Sequence, residues 1–191
     1  MEEITLGPGK LIIIGGSAGS LEVLFRIIPG LRSDLPHPIV IVLHRKASTD
    51  TQLIDLLSSK TSLQVKEIED KDSLDEGSIF IAPGDYHLLF EKDGTLALDD
   101  SEKVAFSRPS IDVAFQSAAE AYGERLISIL LSGANADGSA GMETVKATGG
   151  VTIVQSPDSA EVAYMPQQAI DRQVADLVLD VQGILDFLNA C

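Results

Sequence analysis

At 191 residues and 45% hydrophobic, the chain can bury a core of ordinary domain size, and its composition argues against disorder. Its 29 acidic and 14 basic residues give a formal charge of −15, which disfavours nucleic acid and anionic lipid, partners that need clustered Lys and Arg. No apolar run approaches the roughly 20 residues that span a bilayer, and the single cysteine, Cys191, rules out an internal disulfide or a metal site built on cysteine pairs. The opening Met-Glu-Glu-Ile-Thr has neither the basic nor the apolar region of a secretory signal, so a cytoplasmic protein without membrane insertion is expected.

Apolar segments alternate in kind along the chain. Residues 10–14 are a short, branched, continuous run, the pattern of a strand covered on both faces. Residues 20–28 carry apolar side chains at helical spacing and stop at Pro29-Gly30. "PIVIVL", 38–43, is a second buried strand. "STDTQLIDLLSSK" predicts a helix with Ser48 or Thr49 as N-cap and Leu53, Ile54, Leu56 and Leu57 turned inward. Strands are expected at 65–68 and 78–82. "YHLLFEKDGTLALDD" then forms a hairpin about Asp93-Gly94.

"RPSIDVAFQSAAEAYG" predicts a helix capped by Ser110 and closed by Gly123. A strand at 126–131, a helix after Asp137-Gly138, a strand at 151–154, a short helix at 166–171, a strand at 177–179 and a helix at 184–189 complete the order. Such alternation predicts one α/β domain over residues 1–191: three layers, doubly wound, mostly parallel, with a β-hairpin excursion.

Open α/β sheets place their ligands beyond the carboxyl ends of the strands. The polar residues directly after buried strands are Ser17, His44, Asp85 with His87, Asn135 with Asp137, and Gln155 with Ser156. Ser17 lies in "IIIGGSAGS". A dinucleotide fingerprint fails there because Ser17 stands where a second glycine belongs, and a P-loop fails because no lysine lies between Lys10 and Lys46. The pattern that fits is G-x-S-x-G, from Gly15, Ser17 and Gly19. In a strand–turn–helix setting this is a nucleophile elbow, with the Ala18 amide aimed at any oxyanion that forms. The plain alternative is a glycine-rich turn capped by a serine.

A serine nucleophile needs a base. His37 precedes its strand and belongs at the opposite edge. His44 closes the same strand at the productive edge. His87 is the runner-up, with structural packing of the hairpin as its plainer role. The third member must orient the imidazole, and Asp137 follows a buried strand directly; as a lone residue it would be read as a helix N-cap. An ordinary α/β-hydrolase runs serine, acid, histidine, which would require Asp70, Asp72, Asp75 or Asp85 as the acid. The order Ser17, His44, Asp137 is favoured instead. Met142 and Met165 are assigned to the core.

With these residues in place, the sequence resembles the catalytic domain of the chemotaxis receptor methylesterases, the CheB family. "IIIGGSAGS", "VIVLH", "EGSIFIAPGDYH", "RPSIDVAFQSAA", "ILLSGANADGSAGM" and "MPQQAI" carry the resemblance in the family's order, from about residue 10 to residue 181. It implies hydrolysis of glutamyl γ-methyl esters on chemoreceptor cytoplasmic helices to glutamate and methanol, with receptor glutamine deamidation as a related activity. It implies Ser17 as nucleophile, His44 as base and then acid, Asp137 as its partner, and the amides of Ala18 and Ala134 as oxyanion donors. No metal or organic cofactor is implied. The usual receiver domain is not in the sequence, so a stand-alone form, or a piece of a larger protein, is expected, with a separate receiver domain, a methyltransferase or a histidine kinase as further partners. "SGANADG" and "HRKAS" depart from the family's usual wording. The second puts Arg45 and Lys46 where they could attract an acidic receptor helix. The alternative is a non-catalytic signalling module that keeps the fold.

Overall fold

Two central strands explain the plan of the molecule, described here for residues 9–45 and 52–191 of a computed structural model. Strand β1 (Leu11–Gly16) and strand β2 (Ile39–Leu43) are buried at every position. Leu11 and Ile13 of β1 face one apolar core while Ile12 and Ile14 face another, which is why the run could not alternate with polar residues.

The remaining elements are α1 (Ser20–Ile27), α2 (Gln52–Ser58), β3 (Gln64–Glu67), β4 (Ser78–Ile81), β5 (His87–Phe90), β6 (Leu96–Asp99), α3 (Ile111–Tyr122), β7 (Leu126–Leu130), α4 (Ser139–Ala147), β8 (Val151–Gln155), α5 (Tyr164–Asp171), β9 (Leu177–Leu179) and α6 (Val181–Ala190). Seven strands form one sheet in the order β3-β4-β2-β1-β7-β8-β9, with every pairing parallel. One core lies under α3, α4, α5 and the β5-β6 hairpin; the other lies under α1, α2 and α6. The expected three-layer arrangement with a separate antiparallel excursion is the one observed. From β1 the chain steps outward to β2, and β7 returns on the other side of β1, so the strand order reverses between β1 and β7.

The hairpin turns at Gly94, with φ of 88°, and Asp93 Oδ1 accepts from the amide of Thr95 at 3.0 Å. It packs against α3, where Phe90 meets Tyr122 edge-on at 6.2 Å. Two local expectations differ. Leu56 is 44% exposed and only Leu57 of α2 is fully buried, because this short helix covers the thin end of the sheet beside the half-exposed β3. Helix α6 starts earlier than its apolar pattern, because Asp180 accepts from the amide of Gly183 at 2.7 Å and caps it. Ser48 and Thr49 lie outside the described residues.

Candidate active site

Gly16 and Leu43 are the last register pair of β1 and β2, so Ser17 and His44 leave adjacent strands at the same level. The His44 amide donates to Gly16 O at 3.2 Å and continues the ladder by one bond. Beyond Ser17 the chain turns into α1 through Gly19, whose φ of 81° suits glycine and few other residues. The Ser17 carbonyl accepts from the Ser20 amide at 3.0 Å, which locks the turn, and the Ser17 side chain is half-buried.

The loop between β7 and α4 closes over this turn. The Ser17 amide donates to Ser132 O at 2.9 Å. Ser132 Oγ donates to Ala18 O at 2.7 Å and accepts from the Val162 amide at 2.9 Å. Buried Gln155 holds the same loop, accepting from the Ser132 amide at 2.9 Å and donating to Ser159 O at 3.0 Å. Gly133 allows the approach: a Cβ there would stand 3.1 Å from Ser17 Cβ and 2.4 Å from Met165 Cε. The amides of Ala18 and Ala134 make no hydrogen bond among the described residues, and both residues are exposed.

His44 and Asp137 meet at 2.7 Å through Nε2 and Oδ2. An ionised carboxylate only accepts, so Nε2 carries the imidazole proton and Nδ1 carries the lone pair. Asn135 Nδ2 donates to that Nδ1 at 3.3 Å. Asp137 is 1% exposed and accepts three further bonds: from Ser110 Oγ at 2.9 Å, from the Ile111 amide at 2.7 Å and from the Asp112 amide at 2.9 Å. Burial alone would raise its pKa, but the hydrogen bonds from His44 and from the first turn of α3 outweigh it and hold the carboxyl below its ordinary value.

Asp137 therefore does cap a helix, but that helix is α3 and not the α4 that follows it. The start of α4 is closed by Asp112, whose Oδ1 accepts from the amides of Gly138 and Gly141 at 2.8 and 2.6 Å. Burial, with the nearby Asp137 charge adding to it, pushes the Asp112 carboxyl up to about 6.

The other candidates separate cleanly. His87 is 1% exposed and held on both nitrogens: Nδ1 accepts from the Ser110 amide at 3.1 Å, and Nε2 donates to Glu102 O at 3.0 Å. It packs the hairpin and is not free to serve as a base. His37 sits buried at the amino end of β2, where burial lowers its pKa. Asp70 accepts from the Leu98 amide and Asp72 from the Glu69 amide, so both brace the connection to the hairpin. Arg45 pairs with Glu67 and reaches Ala82 O, so its charge is directed along the sheet edge; Lys46 lies outside the described residues. Met142 and Met165 are fully buried. Sequence reasoning passed over Asp112 and Ser132, although "SID" at the start of a helix and "LLSG" after a strand were visible; Ser110, expected as the N-cap of α3, does cap it and also donates to Asp137. No group of three or more His, Cys, Asp or Glu among the described residues could hold a metal ion, and no described helix is long and apolar enough to cross a membrane.

Comparison with known proteins places the fold in a family. The family model described as CheB methylesterase matches residues 12–188. A Leptospira interrogans protein is 42% identical over 93% of this chain and 92% of its own length; its name gives, provisionally, protein-glutamate methylesterase/protein-glutamine glutaminase. The Thermotoga maritima protein-glutamate methylesterase/protein-glutamine glutaminase is 38% identical over 92% of this chain, which spans about half of that longer protein, 52%. The crystal structure of the Thermotoga maritima CheB methylesterase catalytic domain superposes with a TM-score of 0.90 at 36% identity, covering 96% of this chain and 98% of that one.

Proposed function

The chain belongs to the CheB methylesterase family, and from that premise we propose that it is a serine esterase in which Ser17, His44 and Asp137 act together on glutamyl γ-methyl esters of chemoreceptor cytoplasmic helices. The observation that carries the reading is the His44–Asp137 pair at 2.7 Å, set at the end of the strand beside the one that delivers Ser17.

In this mechanism His44 Nδ1 takes the Ser17 hydroxyl proton as Oγ attacks the ester carbonyl. Asp137 keeps the proton on Nε2 and stabilises the imidazolium that forms. The free amides of Ala18 and Ala134 receive the oxyanion, donors of a kind typically worth roughly 3–4 kcal/mol each. His44 returns the proton to methanol as it leaves, then draws a proton from the water that releases glutamate from Ser17. A glutamine side chain passes through the same intermediate with ammonia as the leaving group, so deamidation needs no additional residue. Residues 1–191 act as one cytoplasmic catalytic domain, and the receptor is the partner, with a separate receiver domain, methyltransferase or histidine kinase as sources of control. Methanol release from methylated chemoreceptor membranes tests this: wild type releases it and Ser17→Ala does not. Equal release by both removes Ser17 from the mechanism.

A further inference from the structure

Beside His44 lies an open cleft of about 240 Å³ whose rim is formed by Arg45, Asp85, Lys103, Phe106 and Arg108. Phe106 is 99% exposed, and its ring meets no other aromatic ring or cation among the described residues. It sits in a tight turn in which Val104 and Ser107 exchange backbone hydrogen bonds at 3.2 and 2.9 Å. The two residues between them, Ala105 and Phe106, both have positive φ, 48° and 64°. Turns of that shape favour Asn-Gly, and an aromatic side chain there is strained. The fold gains no burial from this phenylalanine.

The charge around it is unusual for so acidic a chain. Arg108 donates to the carbonyls of Asp100 and Ser101, so no carboxylate neutralises it. Lys103 makes no hydrogen bond or ion pair among the described residues. Arg45 is already paired with Glu67, and Asp85 is the one acid on the rim. The cleft thus offers one exposed aromatic ring flanked by two cations that no described carboxylate pairs, the half-buried Arg108 and the exposed Lys103, on a protein of net charge −15.

We propose that the 104–107 turn is the docking element for the protein substrate, with Phe106 seated against an apolar position of the receptor helix and Lys103 and Arg108 facing its carboxylates. This rests on the methylesterase reading given above. The occupant follows from the chemistry: hydrolysis leaves a carboxylate at every position treated, so a helix carrying several such glutamates is acidic and complements this rim. An aromatic side chain has only two torsions to fix on binding and covers much area, which is the usual profile of an interface anchor.

The test compares a methylated chemoreceptor cytoplasmic fragment with a small N-acyl glutamate γ-methyl ester as substrates for Phe106→Ala. The ratio of the two kcat/KM values is expected to fall about tenfold or more, through a higher KM for the receptor. A second arm measures Kd for the same fragment with the Ser17→Ala chain, with and without Phe106→Ala, and expects about tenfold weaker binding. The double variant Ala105→Asn, Phe106→Gly relaxes the turn, so it should raise Tm while still weakening docking, which a purely structural role for Phe106 cannot produce. An unchanged ratio with unchanged Kd, or an equal loss on both substrates, overturns the proposal. Failure of wild type on both substrates sinks the esterase reading instead, and the Kd arm then still decides the docking surface by itself.

Discussion

Asp112 and Asp137 cap each other's neighbouring helices: Asp137, which leads into α4, accepts from the amides of Ile111 and Asp112 at the start of α3, and Asp112 accepts from the amides of Gly138 and Gly141 at the start of α4. Two helix dipoles, a buried carboxylate and a half-buried one are thus joined in one arrangement, with His44 attached to one end of it.

Asp137→Asn is expected to fail for a definable reason. All four partners of the carboxylate donate, two to each oxygen, so the amide NH2 of asparagine faces two donors whichever way it lies. Turnover should fall by about four orders of magnitude as the imidazole loses its tautomer. Stability should fall by on the order of 2–3 kcal/mol from the unmade bonds. Steady-state kinetics and urea unfolding check the two effects separately.

The same pair predicts a pH dependence. The Asp112 carboxyl titrates near 6 in the fold against an ordinary 3.8, so its contribution to stability is complete below about pH 4 and is lost as pH rises through about 6. Asp137 lies below its ordinary value, so its contribution is present above about pH 4 and is lost as pH falls further. Together they place a local stability maximum near pH 4. Asp112→Asn should flatten the decline of Tm between about pH 4 and 6 and leave the acid side intact, which a Tm series across pH will read.

Asn135 gives an independent handle on the base. Its amide donates to His44 Nδ1 at 3.3 Å. Asn135→Asp replaces that donor with an acidic neighbour, which favours the imidazolium, so the acid limb of the kcat/KM profile should move to higher pH. An unmoved limb would place the reactive lone pair elsewhere.

Gly133→Ala separates position from stability. The new Cβ meets the mobile end of the buried Met165 side chain, which can bend away, and also Ser17 Cβ, which has less room. We expect kcat to drop by roughly 10- to 100-fold, as small displacements of a nucleophile do, with little change in Tm. Adding Met165→Ala should recover part of the rate.

Ser132→Ala would leave the Val162 amide and the Ala18 carbonyl without their partner. A cost of about 1–3 kcal/mol is expected, together with a slower enzyme, because Ala18 carries one of the two amides proposed to receive the oxyanion. Thermal unfolding and ester turnover measured on one preparation test both effects.

The strands and the hairpin were legible because burial on two faces demands continuous branched runs, as in "LIII" and "IVIVL", and because Asp93-Gly94 fits a tight turn. Ser17, His44 and Asp137 could be picked out because each follows a strand whose end lies at the productive edge. The identity of the helix that Asp137 caps could not be seen, since it depends on α3 being brought to the β7–α4 loop by packing and not by chain proximity. Asp112 was hidden for the same reason: within its own helix it looks like an ordinary acidic residue of the first turn. The left-handed Ala105 and Phe106 violate local preference, so no local rule could announce them.

The first of the described strands is the middle strand of the sheet, paired with β2 on one side and with β7 on the other, Leu11 opposite Leu126. A chain emerging in order therefore holds an open, sticky edge on β1 until β7 arrives to cover it. The serine turn is made early, but the loop that braces it and the aspartate that orients its histidine come from beyond that closing strand. On the proposed mechanism, hydrolytic competence is thus withheld until β7 and the loop that follows it are in place.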